Sequence, residues 1–315
     1  MSTAFVFPGQ GSQAVGMGRA LAEAFAAARE VLEEIDEALK QRLARLMAEG
    51  PESELTLTEN AQPALMAVSL AAMRVLEAEA GIALARDAKF VAGHSLGEYS
   101  ALAAAGALPL GDTARLLKRR GRAMQEAVPV GAGAMAALLG ADLAAATAVA
   151  EAAAKETREV CAVANDNAPG QVVISGNKAA VERAIALAGE RGIKRSVLLP
   201  VSAPFHCPLM QPAADIMAEA LGEAALVDPS VPLVANVTAR AVVDAGTIRK
   251  LLVDQVTGMV RWRESVAFMK EQGVDKIAEL GAGKVLAGLV KRIDREIAPL
   301  SAGEPAEIEA LLKVL

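Results

Sequence analysis

Cysteine is nearly absent: Cys161 and Cys207 are the only two in 315 residues, too few for a disulfide framework or a thiolate metal cluster. Histidine is equally scarce, with His94 and His206 alone, so any imidazole chemistry falls on one of two residues. Aromatics make up 3% of the chain against 53% apolar residues, which predicts a core of aliphatic side chains and closely packed, alanine-rich helices. No apolar stretch is long and uninterrupted enough to span a bilayer. There is no basic excess either: the formal charge is −6, which argues against nucleic acid as the main partner. Met1-Ser2-Thr3 runs straight into a strand-like segment without a secretory signal pattern. These absences converge on a soluble, reduced, cytoplasmic enzyme with no membrane segment and no metal.

What is present is a long alternation of short apolar runs and helical stretches, the pattern of an α/β protein. Ala4-Phe5-Val6-Phe7 reads as a buried strand ended by Pro8-Gly9. Helical periodicity fills Met17–Met47 in pieces and Asn60–Glu79, with Pro63 in the first turn of the second block. The texture changes after Pro129. Strands at Gly133–Leu139, Val160–Ala164, Gln171–Ser175 and Ser196–Leu199 alternate with helices at Asp142–Glu156 and Lys178–Glu190. Strand–helix–strand–strand–helix–strand is the order of a ferredoxin-like unit. The expected organisation is therefore a large body over residues 1–129 and 201–315, interrupted by a small unit over 130–200.

The chemical signal is Gly93-His94-Ser95-Leu96-Gly97, a G-x-S-x-G sequence between the apolar run Phe90-Val91-Ala92 and an alanine-rich helix. That context predicts a nucleophile elbow, in which a sharp strand-to-helix turn exposes the Ser95 hydroxyl at a helix N-terminus. A serine hydroxyl needs a nearby base. His94 is a weak candidate, because adjacent side chains diverge at a tight turn. His206 is then the base by elimination, on a loop made rigid by Pro204 and Pro208. Both cysteines read as inert thiols.

The run Lys118-Arg119-Arg120-Gly121-Arg122 looks like a solvated basic face. At about 100° per residue, Leu117, Gly121, Met124 and Val128 form one apolar face, and Arg120 falls within roughly 60° of it. A buried guanidinium needs an anionic partner. An internal carboxylate and a substrate carboxylate fit equally well. Gly9-Gln10-Gly11-Ser12-Gln13 misses the dinucleotide spacing, and Gly281-Ala282-Gly283-Lys284 lacks the Ser/Thr of a Walker A loop. The first reads instead as a tight loop offering backbone N–H groups near the elbow.

The strings FVFPGQGSQ, GHSLGEYSAL, RRGRAMQEAV, NDNAPGQVVISG, SAPFHCPLM and LGAGKVLAGL follow one another along nearly the whole chain. Together they resemble the malonyl-CoA:acyl carrier protein transacylases. The resemblance implies an α/β-hydrolase-like large subdomain with an inserted ferredoxin-like small subdomain. It implies malonyl transfer from a coenzyme A thioester to the phosphopantetheine of acyl carrier protein, with no cofactor, by a monomer. It makes Ser95 the nucleophile, His206 the general acid/base, and Arg120 the clamp on the malonyl carboxylate. The amides of Gln10 and Leu96 become the oxyanion hole, the main-chain carbonyl of Gln255 orients His206, and Asn165 lies near the substrate. Phe205, beside the base, is expected to crowd an α-methyl group. Because carrier proteins are acidic, a basic docking patch is expected from Lys194, Arg195 and Lys284. The competing readings are the same transferase in polyketide assembly, a serine hydrolase, and a protein that only binds a carrier. A plain ester would leave an inward Arg120 without a use.

Overall fold

The computed structural model describes residues 2–314. Its larger sheet has six strands in the order β10-β9-β1-β2-β7-β8: Ala298–Ala302, Lys276–Leu280, Thr3–Phe7, Phe90–Gly93, Leu233–Ala235 and Arg240–Val242. All neighbours are parallel except the last pair. Parallel strands must be covered on both faces, and β1 shows how its five residues achieve this. Phe5 and Phe7 enter the core under helices Thr58–Ala80 and Leu110–Glu126, while Ala4 and Val6 enter a second core with Trp262, Met269 and Leu286 on the opposite face. That is the period-2 alternation of a strand used on both sides.

The smaller sheet is antiparallel, ordered β4-β5-β3-β6, from Cys161–Ala168, Gln171–Asn177, Gly133–Leu139 and Arg195–Leu198. One face packs Ala136, Leu138, Val172 and Ile174 against helices Leu143–Thr157 and Lys178–Glu190. The other face presents Met135, Ala137, Ala164 and Val173 to Leu199, Val201 and Phe205. Only that second face bears on the site.

Strand β4 differs from expectation in a way that matters. It continues through Ala168 over two register shifts, between Val163 and Asn165 and between Asp166 and Ala168. Each bulge re-aims the strand, and Asn165, Asp166 and Asn167 belong to the sheet, beyond the strand end expected at Ala164. The strand also bridges Val260 of the larger body through Asp166 N–H to Val260 O at 3.0 Å and Val260 N–H to Ala164 O at 2.9 Å. Two edge strands carried little sequence pattern: β8 is short and largely exposed, and β10 contains Pro299. Proline is tolerated on such an edge. The long helix begins at Thr58, two residues early, which places Pro63 beyond its first turn.

Candidate active site

Strands β1 and β2 end side by side, with Phe7 opposite Gly93. The loops beyond these parallel carboxyl ends form the site, where open α/β sheets put their ligand crevices. The elbow glycines are required by contact. A Cβ on Gly93 would lie 1.9 Å from the Gly97 carbonyl carbon, and one on Gly97 would lie 2.2 Å from Phe7 O. Between them Ser95 adopts a left-handed backbone, φ 54°, a conformation a non-glycine residue keeps only when its surroundings hold it. They do: Ser95 N–H donates to Asn236 Oδ1 at 2.8 Å, and Ser95 O accepts from Gln255 Nε2 at 2.9 Å.

His206 lies with its Nε2 2.7 Å from Ser95 Oγ. Its backbone is also left-handed, φ 56°. The other ring nitrogen, Nδ1, donates to Gln255 O at 2.9 Å, so the lone pair sits on Nε2 and faces the serine. Burial, reinforced by the positive charge of Arg120, pushes His206 down to about 3. The imidazole is therefore neutral, as a base must be. His94 points elsewhere: its Nε2 pairs with Asn167 Oδ1 at 2.8 Å and its ring lies 5.8 Å from that of Trp262.

Arg120 is 1% exposed and faces inward, as its helical phase predicts. Its guanidinium donates to Gln62 Oε1 at 2.9 Å, to Gln255 Oε1 at 2.8 Å and to Ser95 Oγ at 3.1 Å. It sits 5.7 Å from the centre of the Tyr99 ring. Among the described residues no carboxylate makes an ion pair with it, and its Nε has no partner. The cation is thus buried among neutral acceptors, an arrangement that favours an incoming anion. No internal carboxylate touches it directly.

These groups open into one cavity of about 860 Å³ lined also by Gln10, Leu96, Asn165 and Phe205. Gly9 packs so tightly on the elbow that a Cβ there would sit 2.7 Å from His94 O, which brings Gln10 beside Ser95. Neither the Gln10 nor the Leu96 amide has an intramolecular acceptor among the described residues. Asn165 is buried, and Asp166 beside it is held by Arg263 at 2.7 Å, so that acidic residue serves the seam between the sheets. Lys194 and Arg195 are exposed at the start of β6, just before the cavity-lining Leu199 and Pro200. Lys284 is not on this lining: it pairs with Glu307 at 2.6 Å beside a separate hollow.

Four residues that sequence reasoning missed complete the site: Gln62, Tyr99, Asn236 and Glu98. Only Glu98 left a trace, as the fourth residue of Ser95-Leu96-Gly97-Glu98, which has capping-box spacing. It does not cap. Its Oε2 accepts from Gln255 Nε2 at 2.7 Å and from Asn236 N–H at 3.3 Å. Burial pushes its carboxyl up to about 7, against the lowering effect of those two hydrogen bonds. Cys161 and Cys207 are buried, and burial raises both thiols, Cys161 to about 12. Among the described residues no cluster of His, Cys, Asp or Glu could hold a metal ion.

The sequence profile described as the acyl transferase domain matches residues 4–304. The malonyl CoA-acyl carrier protein transacylase of Bacillus subtilis strain 168 is 45% identical over 312 residues, covering 99% of this chain and 96% of the relative. The crystal structure of the acyl-carrier-protein-S-malonyltransferase from Bartonella henselae superposes with a TM-score of 0.97 at 54% identity, covering 100% of this chain and 99% of that one. A malonyl-transacylase solved in complex with its type II polyketide acyl-carrier protein superposes with a TM-score of 0.95 at 42% identity, covering 99% of each chain.

Proposed function

Because the chain belongs to the acyl transferase domain family, we propose that it moves malonyl groups from malonyl-CoA to the phosphopantetheine thiol of an acyl carrier protein, for fatty-acid synthesis. The observation that carries this reading is one oxygen with two neighbours: Ser95 Oγ lies 2.7 Å from a base, His206, and 3.1 Å from a buried cation, Arg120.

The chemistry runs in two halves. Ser95 gives its proton to His206 Nε2 as Oγ attacks the thioester carbonyl. The resulting oxyanion is held by the Gln10 and Leu96 amides, each donor worth on the order of 10²-fold in rate. The carbon–sulfur bond breaks, coenzyme A leaves with the proton from His206, and a malonyl ester remains on Ser95. The carrier's thiol then gives its proton to His206 and attacks the ester, and Ser95 leaves with that proton. Gln255 O keeps the imidazole in the required tautomer through both halves.

Arg120 receives the malonyl carboxylate, and this has a second effect. The Arg120 charge is one cause of the low basicity of His206. A bound carboxylate neutralises that charge, so an acidic acyl group strengthens the base that acts on it. A neutral acyl group leaves the base weak. Asn165 and Phe205 line the cavity, and Phe205, beside the base, crowds an α-methyl substituent. In this reading the enzyme works as a monomer and without a cofactor. The carrier docks on the exposed Lys194 and Arg195, and the compartment is the cytoplasm; among the described residues no helix is long and apolar enough to cross a membrane. Lys284, held by Glu307, makes a smaller contribution.

The test is to mix the protein with malonyl-CoA, find the malonyl adduct on Ser95 by mass spectrometry, then add holo carrier protein and follow the label onto its thiol. Free malonate released without carrier would instead make the protein a hydrolase. Absence of any adduct would make it a binding protein.

A further inference from the structure

Glu98, and the Gln255 side chain that links it to Arg120, have no part in the reaction as written. Glu98 Oε2 accepts from Gln255 Nε2 at 2.7 Å, and Gln255 Oε1 accepts from Arg120 at 2.8 Å. The amide of one glutamine thus joins a carboxyl to a guanidinium that has no direct anionic partner. Glu98 and Arg120 are each 1% exposed and Gln255 is fully buried, so water screens little between them.

We propose that Glu98 is the internal counter-charge of Arg120, reaching it through the Gln255 amide, and that it competes with the acyl carboxylate for that guanidinium. This rests on the malonyl-transfer reading of the same site. Glu98 touches no reacting atom; it is a positioning residue. When it carries a proton, Arg120 is an uncompensated cation and holds an acidic acyl group tightly. When it is ionised, Arg120 is already half-satisfied, and a second carboxylate enters against repulsion. One carboxyl thereby sets how strongly the site prefers acidic over neutral acyl groups.

The groups facing Glu98 leave room for little else. Arg120 approaches from the helix Leu110–Glu126 and Tyr99 from its own helix. The helix Thr58–Ala80 and strands β1, β2 and β7 also pack here, and among the described residues they bury no ionisable side chain on Glu98. Gln255 and Asn236, its hydrogen-bond partners, do not titrate. Burial pushes Glu98 up to about 7, which puts the competition within an ordinary assay range.

The test compares kcat/KM for malonyl-CoA and acetyl-CoA at pH 6 and pH 8. Both thioesters carry the same coenzyme phosphates and react with the same Ser95 and His206, so the ratio cancels those titrations. The expected result is a malonyl preference that falls several-fold, approaching tenfold, from pH 6 to pH 8 in the wild-type protein. In Glu98→Gln, which keeps an acceptor for Gln255 but no charge, the preference stays at its pH 6 level throughout. An unchanged wild-type ratio overturns the proposal without any variant, and so does an identical fall in both proteins. Absence of malonyl preference at either pH would overturn the underlying malonyl reading instead.

Discussion

Replacing Arg120 by methionine removes one buried charge and its donors while keeping a side chain of similar length against the Tyr99 ring. The guanidinium now makes three hydrogen bonds to neutral acceptors, so a substrate carboxylate would be its first anionic partner. Removing one member of such a buried pair costs about 3–5 kcal/mol. At about 1.4 kcal/mol per factor of ten, kcat/KM for malonyl-CoA should fall roughly 10²- to 10⁴-fold. Acetyl-CoA loses no ionic contact. The cation that depresses His206 is also gone, so acetyl loading should hold steady or rise. The folded state gives up an unpaired buried charge and should keep or increase its Tm. Rapid-quench mass spectrometry of the acyl-enzyme with each thioester reads both rates directly. Equal losses on malonyl-CoA and acetyl-CoA, with the variant folded, would refute the role of Arg120 as a carboxylate clamp.

Two further outcomes concern the base and the elbow. Burial holds His206 at about 3 in the folded chain, whereas an exposed histidine takes up a proton near 6.5. The unfolded chain therefore binds the extra proton, and the His206 contribution to stability is complete above pH 6.5 and lost as pH falls, by about 1.4 kcal/mol per pH unit. Urea unfolding of wild type and His206→Gln at pH 7 and pH 5 should show wild type losing stability relative to the variant; a pH-independent difference would contradict the neutral buried imidazole. Gly93→Ala forces a Cβ to 1.9 Å from the Gly97 backbone and should cost about 3 kcal/mol or more, read as a lowered Tm or failure to fold. Gly288→Ala, where a Cβ meets nothing within 4 Å in the interior of the helix Val285–Ile293, should be neutral or stabilising by up to about 1 kcal/mol.

The parts of this site legible in the sequence are those that local rules fix. The first glycine of the G-x-S-x-G turn is required by contact with Gly97, four residues on, and the inward phase of Arg120 follows from helical periodicity alone. The small antiparallel sheet was readable because its strands and helices alternate cleanly. The polar residues behind the nucleophile were not readable. Asn236 follows an edge-proximal strand, Gln62 sits on a helix buried nearly all round, and the Gln255 side chain is one amide among several. Each acquires its role only by approaching Ser95 or Arg120 across more than fifty residues of chain. The two bulges of β4 were hidden for a related reason, since they follow from pairing with Val260 rather than from the composition of Asn165-Asp166-Asn167. The Lys284–Glu307 pair likewise depends on the packing of the last helix, Pro305–Leu312.

The strained backbone of Ser95 is held at its N–H by a residue 141 positions later and at its C=O by one 160 positions later. A chain emerging from the ribosome therefore carries the serine long before it carries the clamps that force the left-handed turn. Until residues 236–255 have been made and docked, the turn can relax, and His206 lacks the carbonyl that orients it. Contacts of such long range form late. Reactivity is thus coupled to completion of the fold: a nascent or truncated chain ending before Asn236 holds every atom of Ser95 and His206 yet has no activated nucleophile with which to consume thioesters.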